Sequence, residues 1–201
     1  MLIETKIKKV READSSESLV KSVRDLANEV DETAIPTLIE VLGYNNPGAA
    51  VAAIDGLVKL GRVSVSAIVS QIDGYNYGAR AWAVRALAEI GDGRALELLL
   101  DSAAYDFSAS VRRSATKGLG NLCWDDFPDT EVLNVKQAVL DALIKASQES
   151  EWIVRYAAIS SLEAIASFDL AKVLGYLQTR TEAETDMIVR ARIQLVIERA
   201  L

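Results

Sequence analysis

The chain has 201 residues, half of them hydrophobic and a quarter charged, with a net charge of −7; that composition predicts a soluble, folded protein and argues against nucleic acid as a main partner, since phosphate binding needs a cationic footprint. Histidine is absent and Cys123 is the one cysteine. This removes histidine metal sites, Ser–His–Asp and Cys–His pairs, imidazole bases and any intrachain disulfide. Carboxylates, tyrosines, arginines, lysines and the lone thiol are what remains for chemistry.

The start, "MLIETKIKKVREADSSES", lacks the apolar core and small-residue cleavage site of a secretory signal. No apolar run approaches the ~20 residues that span a bilayer. With a lone cysteine, this predicts a cytoplasmic protein without a membrane span. A terminal helix pair comes first, "IETKIKKVREA" and "SESLVKSVRDLANEV". Next comes "DETAIPTLIEVLG", then a helix from Ala49, "VSVSAIVSQIDG", a helix from Ala79 and "RALELLLDSAAYD". A helix from Val111 leads to an enlarged loop, "CWDDFPDTEVLN", between Cys123 and Asn134. The series closes with "TEVLNVKQAVLDALIKAS", a helix from Val154, "LAKVLGYLQTR" and a helix from Val189. Gly, Asn, Asp or Pro bounds the segments between the aligned helices, and no segment shows strand alternation.

Five of these helices share a grammar. "AAVAAIDGLVKL", "ARAWAVRALAEI", "VRRSATKGLGNL", "VRYAAISSLEAI" and "VRARIQLVIERA" start 30, 32, 43 and 35 residues apart. Columns one, five, nine and twelve follow one helical face and are small or apolar (Ala49, Ala53, Leu57; Ala79, Ala83, Leu87; Val111, Ala115, Leu119, and so on). A helix pair cannot bury such a face alone, so stacking must make a continuous core. The expectation is an all-α solenoid of about five to six helix pairs, a single domain over residues 1–201. Column two is Arg80, Arg112, Arg155 and Arg190, read as a ladder to neighbouring turns, with Asp106, Glu151 and Asp186 as acceptors. "GDG" at 91–93 reads as a helix C-cap, "GLG" at 118–120 as a tight helix crossing, and Cys123 as a small core or near-core residue.

Columns three and seven share a neighbouring face. They place three cations, Arg85, Arg113 and Lys117, in two adjacent repeats, with Tyr156 one repeat on. Tyr75, Tyr77 and Trp82 crowd one helix entry, and Trp124 ends the next repeat. Aromatic faces with guanidinium groups suit a flat anionic ligand. A solvated helix face with a few packed aromatics is the alternative. The last helix carries Ile188 and Leu195 outside the core columns, as for docking against another protein or for packing under the helix before it.

The stretches "IPTLIEVLGYNNPGAA", "YNYGARAWAVRALAEIGD" and "SVRRSATKGLGNLCW" resemble HEAT-repeat (armadillo-like) proteins of the phycobilin lyase kind. More narrowly they resemble the F-type subunits of the E/F heterodimeric lyases that attach phycocyanobilin to the phycocyanin α subunit. The resemblance implies an E-type lyase subunit, the phycocyanin α subunit and phycocyanobilin as partners and substrate, in a cyanobacterial cytosol or red algal plastid stroma, with no metal or nucleotide cofactor. The implied reaction adds an acceptor thiol to the ethylidene group of the bilin A ring, and the reverse transfer or detachment is known for such pairs. Isomerising relatives carry a His–Cys pair, which this sequence lacks, so attachment without isomerisation is expected. A bilin has two propionates and a conjugated plane. Arg85, Arg113 and Lys117 are the candidates for the propionates, and Tyr75, Tyr77, Trp82 and Tyr156 for the rings. Asp55 is the candidate proton donor on this chain, with the partner subunit as the other source. A non-catalytic scaffold or adaptor binding phycobiliproteins, in phycobilisome assembly or degradation, is the competing reading.

Overall fold

The computed structural model describes residues 2–72 and 76–200. Among these residues there are twelve α-helices and four 3-10 turns, and no strand. The order is α1 (Leu2–Arg11), α2 (Ser16–Ala27), α3 (Ile35–Leu42), α4 (Pro47–Leu60), α5 (Arg62–Gln71), α6 (Tyr77–Ile90), α7 (Leu96–Tyr105), α8 (Ala109–Leu119), α9 (Val132–Ala146), α10 (Trp152–Ala164), α11 (Leu170–Ala183) and α12 (Met187–Ala200). Two compact units result, Met1–Ala95 and Leu96–Leu201.

Local chemistry sets the helix starts. Asn46 and Asn76 each accept the backbone N–H three residues on, from Ala49 and Ala79, both at 3.0 Å, which satisfies an orphan donor of the first turn. Asp169 does the same for Lys172. Gly91 closes α6 in the left-handed region at φ 73°, as the "GDG" turn predicts.

In the first unit α1 pairs with α2, α3 with α4 and α5 with α6, and α4 packs between α2 and α6. In the second unit α7 pairs with α8, α9 with α10 and α11 with α12, and α10 packs between α8 and α12. The inward columns are buried as predicted: Ala49, Ala53 and Leu57; Ala83 and Leu87; Val111, Ala115 and Leu119; Val154, Ala158 and Leu162; Val189 and Ile193. Each buried Leu or Val contributes about 1.5–3 kcal/mol. The pattern fades in the last helix, where Ile197 of column nine is half-buried and Ala200 of column twelve is exposed. Cys123 departs from its predicted place and is exposed. Leu122 takes the buried position, and the extended backbone at Cys123 (ψ 111°) turns the chain away into the 3-10 turn that follows.

Small residues let the second helices approach closely. A Cβ built on Gly120 would stand 2.6 Å from the Ser161 side chain on α10, and one on Gly56 2.7 Å from Ala27 on α2. The "GLG" crossing is therefore real, with Gly120 as the residue that permits it.

The arginine column does form a ladder in the second unit, with Asp106 an acceptor as expected, though through its carbonyl, and with other residues in place of Glu151 and Asp186. Arg112 Nη1 donates to the carbonyls of Asp106 and Phe107 at 2.8 and 3.1 Å. Arg155 Nη1 donates to those of Glu149 and Ser150 at 3.0 and 2.7 Å. Arg190 donates to the Glu184 carbonyl. The acceptor is thus the carbonyl six residues back. At Glu149 and Glu184 the acidic residue has a second role: its carboxylate reaches the arginine of the preceding repeat. Glu149 pairs with Arg112 at 2.6 Å and Glu184 with Arg155 at 2.9 Å. The Glu151 and Asp186 carboxylates are therefore not the acceptors; Asp186 instead caps α12 by accepting from the Ile188 and Val189 N–H groups. For Arg80 the matching carbonyls fall on residues 74 and 75, outside the described residues.

Glu184 is the most heavily committed group. Its side chain is 1 % exposed and also accepts from Arg180 at 2.8 Å, and from the Asp186 N–H. Burial pushes its pKa up, but the bond from Arg155, the Asp186 N–H and the charges of Arg155 and Arg180 outweigh it, leaving the pKa below the ordinary glutamate value. A carboxylate depressed in the folded state stabilises above its unfolded pKa, and that contribution is lost as pH falls through the folded value. Glu184→Gln is expected to cost about 3 kcal/mol at pH 7, with the gap to wild type narrowing below about pH 4. Urea denaturation followed by circular dichroism at neutral and acid pH checks both.

Candidate functional site

The predicted site residues fall into two groups, each within one unit. In the first unit Trp82, one turn into α6, lines a shallow pocket of about 260 Å³ with Tyr44, Asn46, Pro47, Asn76 and Gly78. The two asparagine caps thus also frame the indole. Arg85 sits 5.9 Å from the Trp82 ring centroid, and its Nε is tied to Glu89 at 2.9 Å one turn on. Its charge is therefore already matched, and it serves Trp82 as a cation–π partner. Tyr77 opens α6 and is half-buried. Tyr75 lies outside the described residues. Asp55 is an exposed carboxylate on α4, facing solvent.

In the second unit α8 and α10 bring Arg113, Lys117 and Tyr156 together. They line a cleft of about 470 Å³ with Trp152, Ile153 and Ala157 of α10 and Ile188 of α12, a volume in the range of small-molecule sites, about 300–1,000 Å³. Arg113 and Lys117 stand one turn apart on α8, and Trp152 and Tyr156 one turn apart on α10, so a pair of cations faces a pair of aromatics across the helix groove. Both cations are exposed. The arginine beside them, Arg112, is folded into the ladder at 14 % exposure, because adjacent residues on a helix point about 100° apart.

Trp152 is the functional candidate that sequence alignment missed. It opens α10 ahead of the aligned segment, yet stepping the Tyr156 column back by four lands on it, and it is 42 % exposed. Ile188, 54 % exposed, adds an apolar edge from α12. Trp124 goes elsewhere: it packs edge-on against Phe168 at 4.5 Å and near Phe127, with Lys136 over the Phe168 ring at 4.4 Å. A larger cleft of about 650 Å³ lies between α7 and α9. There Lys145 covers the one aromatic, Tyr105, and Glu149 is engaged by Arg112. No group of three metal-binding side chains occurs among the described residues.

Residues 35–120 match the family described as HEAT repeats. A curated relative from Synechocystis sp. strain PCC 6803, "Phycocyanin alpha phycocyanobilin lyase CpcF", is 47% identical over 98% of this chain and 93% of its own. A "Phycocyanobilin lyase subunit beta" from Nostoc sp. strain PCC 7120 is 49% identical over 91% of this chain and 92% of its own. Among solved structures, the complex of CpcE and CpcF of phycocyanin lyase from Nostoc sp. PCC7120 matches with a TM-score of 0.78 and 46% identity, covering 83% of this chain and 99% of that one.

Neighbouring arginines should behave differently. Arg113→Ala is expected to change stability by no more than about 0.5 kcal/mol, whereas Arg112→Ala is expected to cost about 2 kcal/mol by leaving Glu149 and two turn carbonyls unmatched. Thermal melts of the two variants check this, and loss of fold in Arg113→Ala would show that its face is packed.

Proposed function

The chain belongs to the family of phycocyanobilin lyase beta subunits, one of which it matches at 49% identity over 91% of its length, and from that premise we propose how it acts. Paired with an E-type subunit, it attaches phycocyanobilin to a cysteine of the phycocyanin α subunit through a thioether. The observation that carries this reading is full-length similarity to a phycocyanin alpha phycocyanobilin lyase, in a chain whose fold matches the CpcF-containing complex. A non-catalytic scaffold or adaptor finds no such support, since relatives spanning nearly the whole chain are lyase subunits.

The acceptor thiol adds across the A-ring ethylidene double bond. A carbon–sulfur bond forms at the ethylidene carbon, the thiol proton is matched by one delivered to the ring system, and nothing leaves. No oxidant or reductant is required, and the reading assigns no metal or nucleotide cofactor. An acid that protonates the conjugated pyrroles makes the ethylidene carbon more electrophilic. Most of the acceleration then comes from holding the bilin and the thiol in register. Arg113 and Lys117 suit the propionates and Tyr156 offers aromatic surface to a ring in the second unit; Tyr77 and Trp82 are aromatic candidates in the first unit, taken by itself. With no histidine in the chain, the chromophore is attached without isomerisation. No helix among the described residues is long and apolar enough to cross a membrane, in keeping with work in the cyanobacterial cytosol or plastid stroma where phycobiliproteins are assembled.

Co-expression with the E-type subunit, phycocyanobilin and the apo-α subunit is expected to give a covalent, zinc-fluorescent product with the absorption of attached phycocyanobilin. Adduct no faster than without this chain overturns the reading. Asp55→Asn is expected to slow attachment while bilin binding persists; an unchanged rate assigns the proton donor to the partner subunit.

A further inference from the structure

The cleft between α8 and α10 has a feature that the fold does not need. Arg113 and Lys117 are like charges one turn apart, an arrangement that destabilises a helix by a few tenths of a kcal/mol. Elsewhere in the second unit cations on or beside the second helices are matched: Arg112 by Glu149, Arg155 and Arg180 by Glu184, Arg192 by Glu163. Among the described residues, Arg113 and Lys117 have neither a hydrogen bond nor an ion pair through their side chains. The wall opposite is equally unsatisfied: Trp152 and Tyr156 leave much of their rings open to solvent, 42 % and 38 % exposed, and Ile188 borders them. One side of the cleft lacks an anion and the other lacks an apolar plane.

We propose that this cleft is a subsite for one propionate-bearing pyrrole end of the bilin, with Arg113 and Lys117 holding the carboxylate and Trp152 and Tyr156 carrying the ring. The inference rests on the lyase reading and adds to it in two ways. Trp152 becomes a binding residue. Arg85, held by Glu89, is removed from the propionate set. A guanidinium and an ammonium converging on one carboxylate make charge-assisted hydrogen bonds, while the flat ring recovers the apolar area that Trp152 and Tyr156 now expose. The spacing of the pairs gives the site a polarity: carboxylate toward α8, ring toward α10.

The test compares phycocyanobilin with its propionate dimethyl ester. Both are titrated into the purified heterodimer, wild type and variants, with bilin absorption and tryptophan quenching as readouts and circular dichroism as the control for folding. Arg113→Gln/Lys117→Gln is expected to weaken the diacid at least roughly 10-fold and to leave the ester unchanged. Trp152→Leu is expected to weaken both forms several-fold, and Arg85→Gln neither. If the double variant binds the diacid like wild type, or loses diacid and ester equally, the subsite is overturned while the lyase reading stands. If Trp152→Leu instead abolishes pairing with the E-type subunit, the cleft is the partner's docking face and the subsite is overturned. A wild-type heterodimer that binds neither bilin and forms no adduct overturns the lyase reading, and the subsite with it.

Discussion

The second unit hangs on one repeated interaction: a guanidinium gripping the carbonyl six residues before it, in the turn that enters its own helix. Arg112, Arg155 and Arg190 all do this. The residue supplying the carbonyl is acidic each time, and two of the three serve twice. Glu149 gives its carbonyl to Arg155 and its carboxylate to Arg112; Glu184 gives its carbonyl to Arg190 and its carboxylate to Arg155. One acid therefore couples two successive repeats, and the apolar columns beneath are held in register by a polar chain above them. Buried charge of this kind is tolerable because each buried arginine meets both a carbonyl and a carboxylate.

That ladder also decides what the surface can do. By drawing one arginine inward at each helix entry, it leaves the next residue along facing out. At α8 this neighbour is Arg113; at α10 it is Tyr156; at α12 it is Ala191. The same helix position is thus structural in one column and available for ligand in the next. The chain uses that freedom unevenly, with charge on α8, aromatic surface on α10 and almost nothing on α12. The first unit follows another plan. There Trp82 is steadied by Arg85 and framed by two asparagine caps, so its aromatic surface is braced and its nearby cation is spent.

Periodicity made the architecture legible. Columns of Ala, Val and Leu at one helical face mark Leu57, Leu119 and Leu162 as core, and all three are fully buried. The twelve helices and the long loop before α9 follow from the same spacing and from the caps. The ladder is legible as a column, and Asp106 as one acceptor, but Glu149 and Glu184 are not, because a main-chain carbonyl has no signature in the sequence; only the acids at 106, 149 and 184, each six residues ahead of an arginine, betray it. Trp152 was hidden because the repeat was aligned from Val154. Cys123 lies outside the core because it follows the last aligned column at Leu122, where the backbone has already become extended. Of the proposed site, Arg113, Lys117 and Tyr156 came from column arithmetic, which reports angular position faithfully and says nothing of which cations are already neutralised.

Gly120 has a bearing on the cleft as well as on the core. At that point α8 and α10 are separated by less than a methyl group would allow, with Ser161 directly opposite, and Arg113, Lys117, Trp152 and Tyr156 lie further back along the same two helices. The crossing acts as a caliper: its jaws are the cation pair and the aromatic pair, and their opening is set by an atom that is missing. Ligand selectivity could then be retuned from a position that no ligand ever touches, by adding a single carbon to the hinge of the instrument.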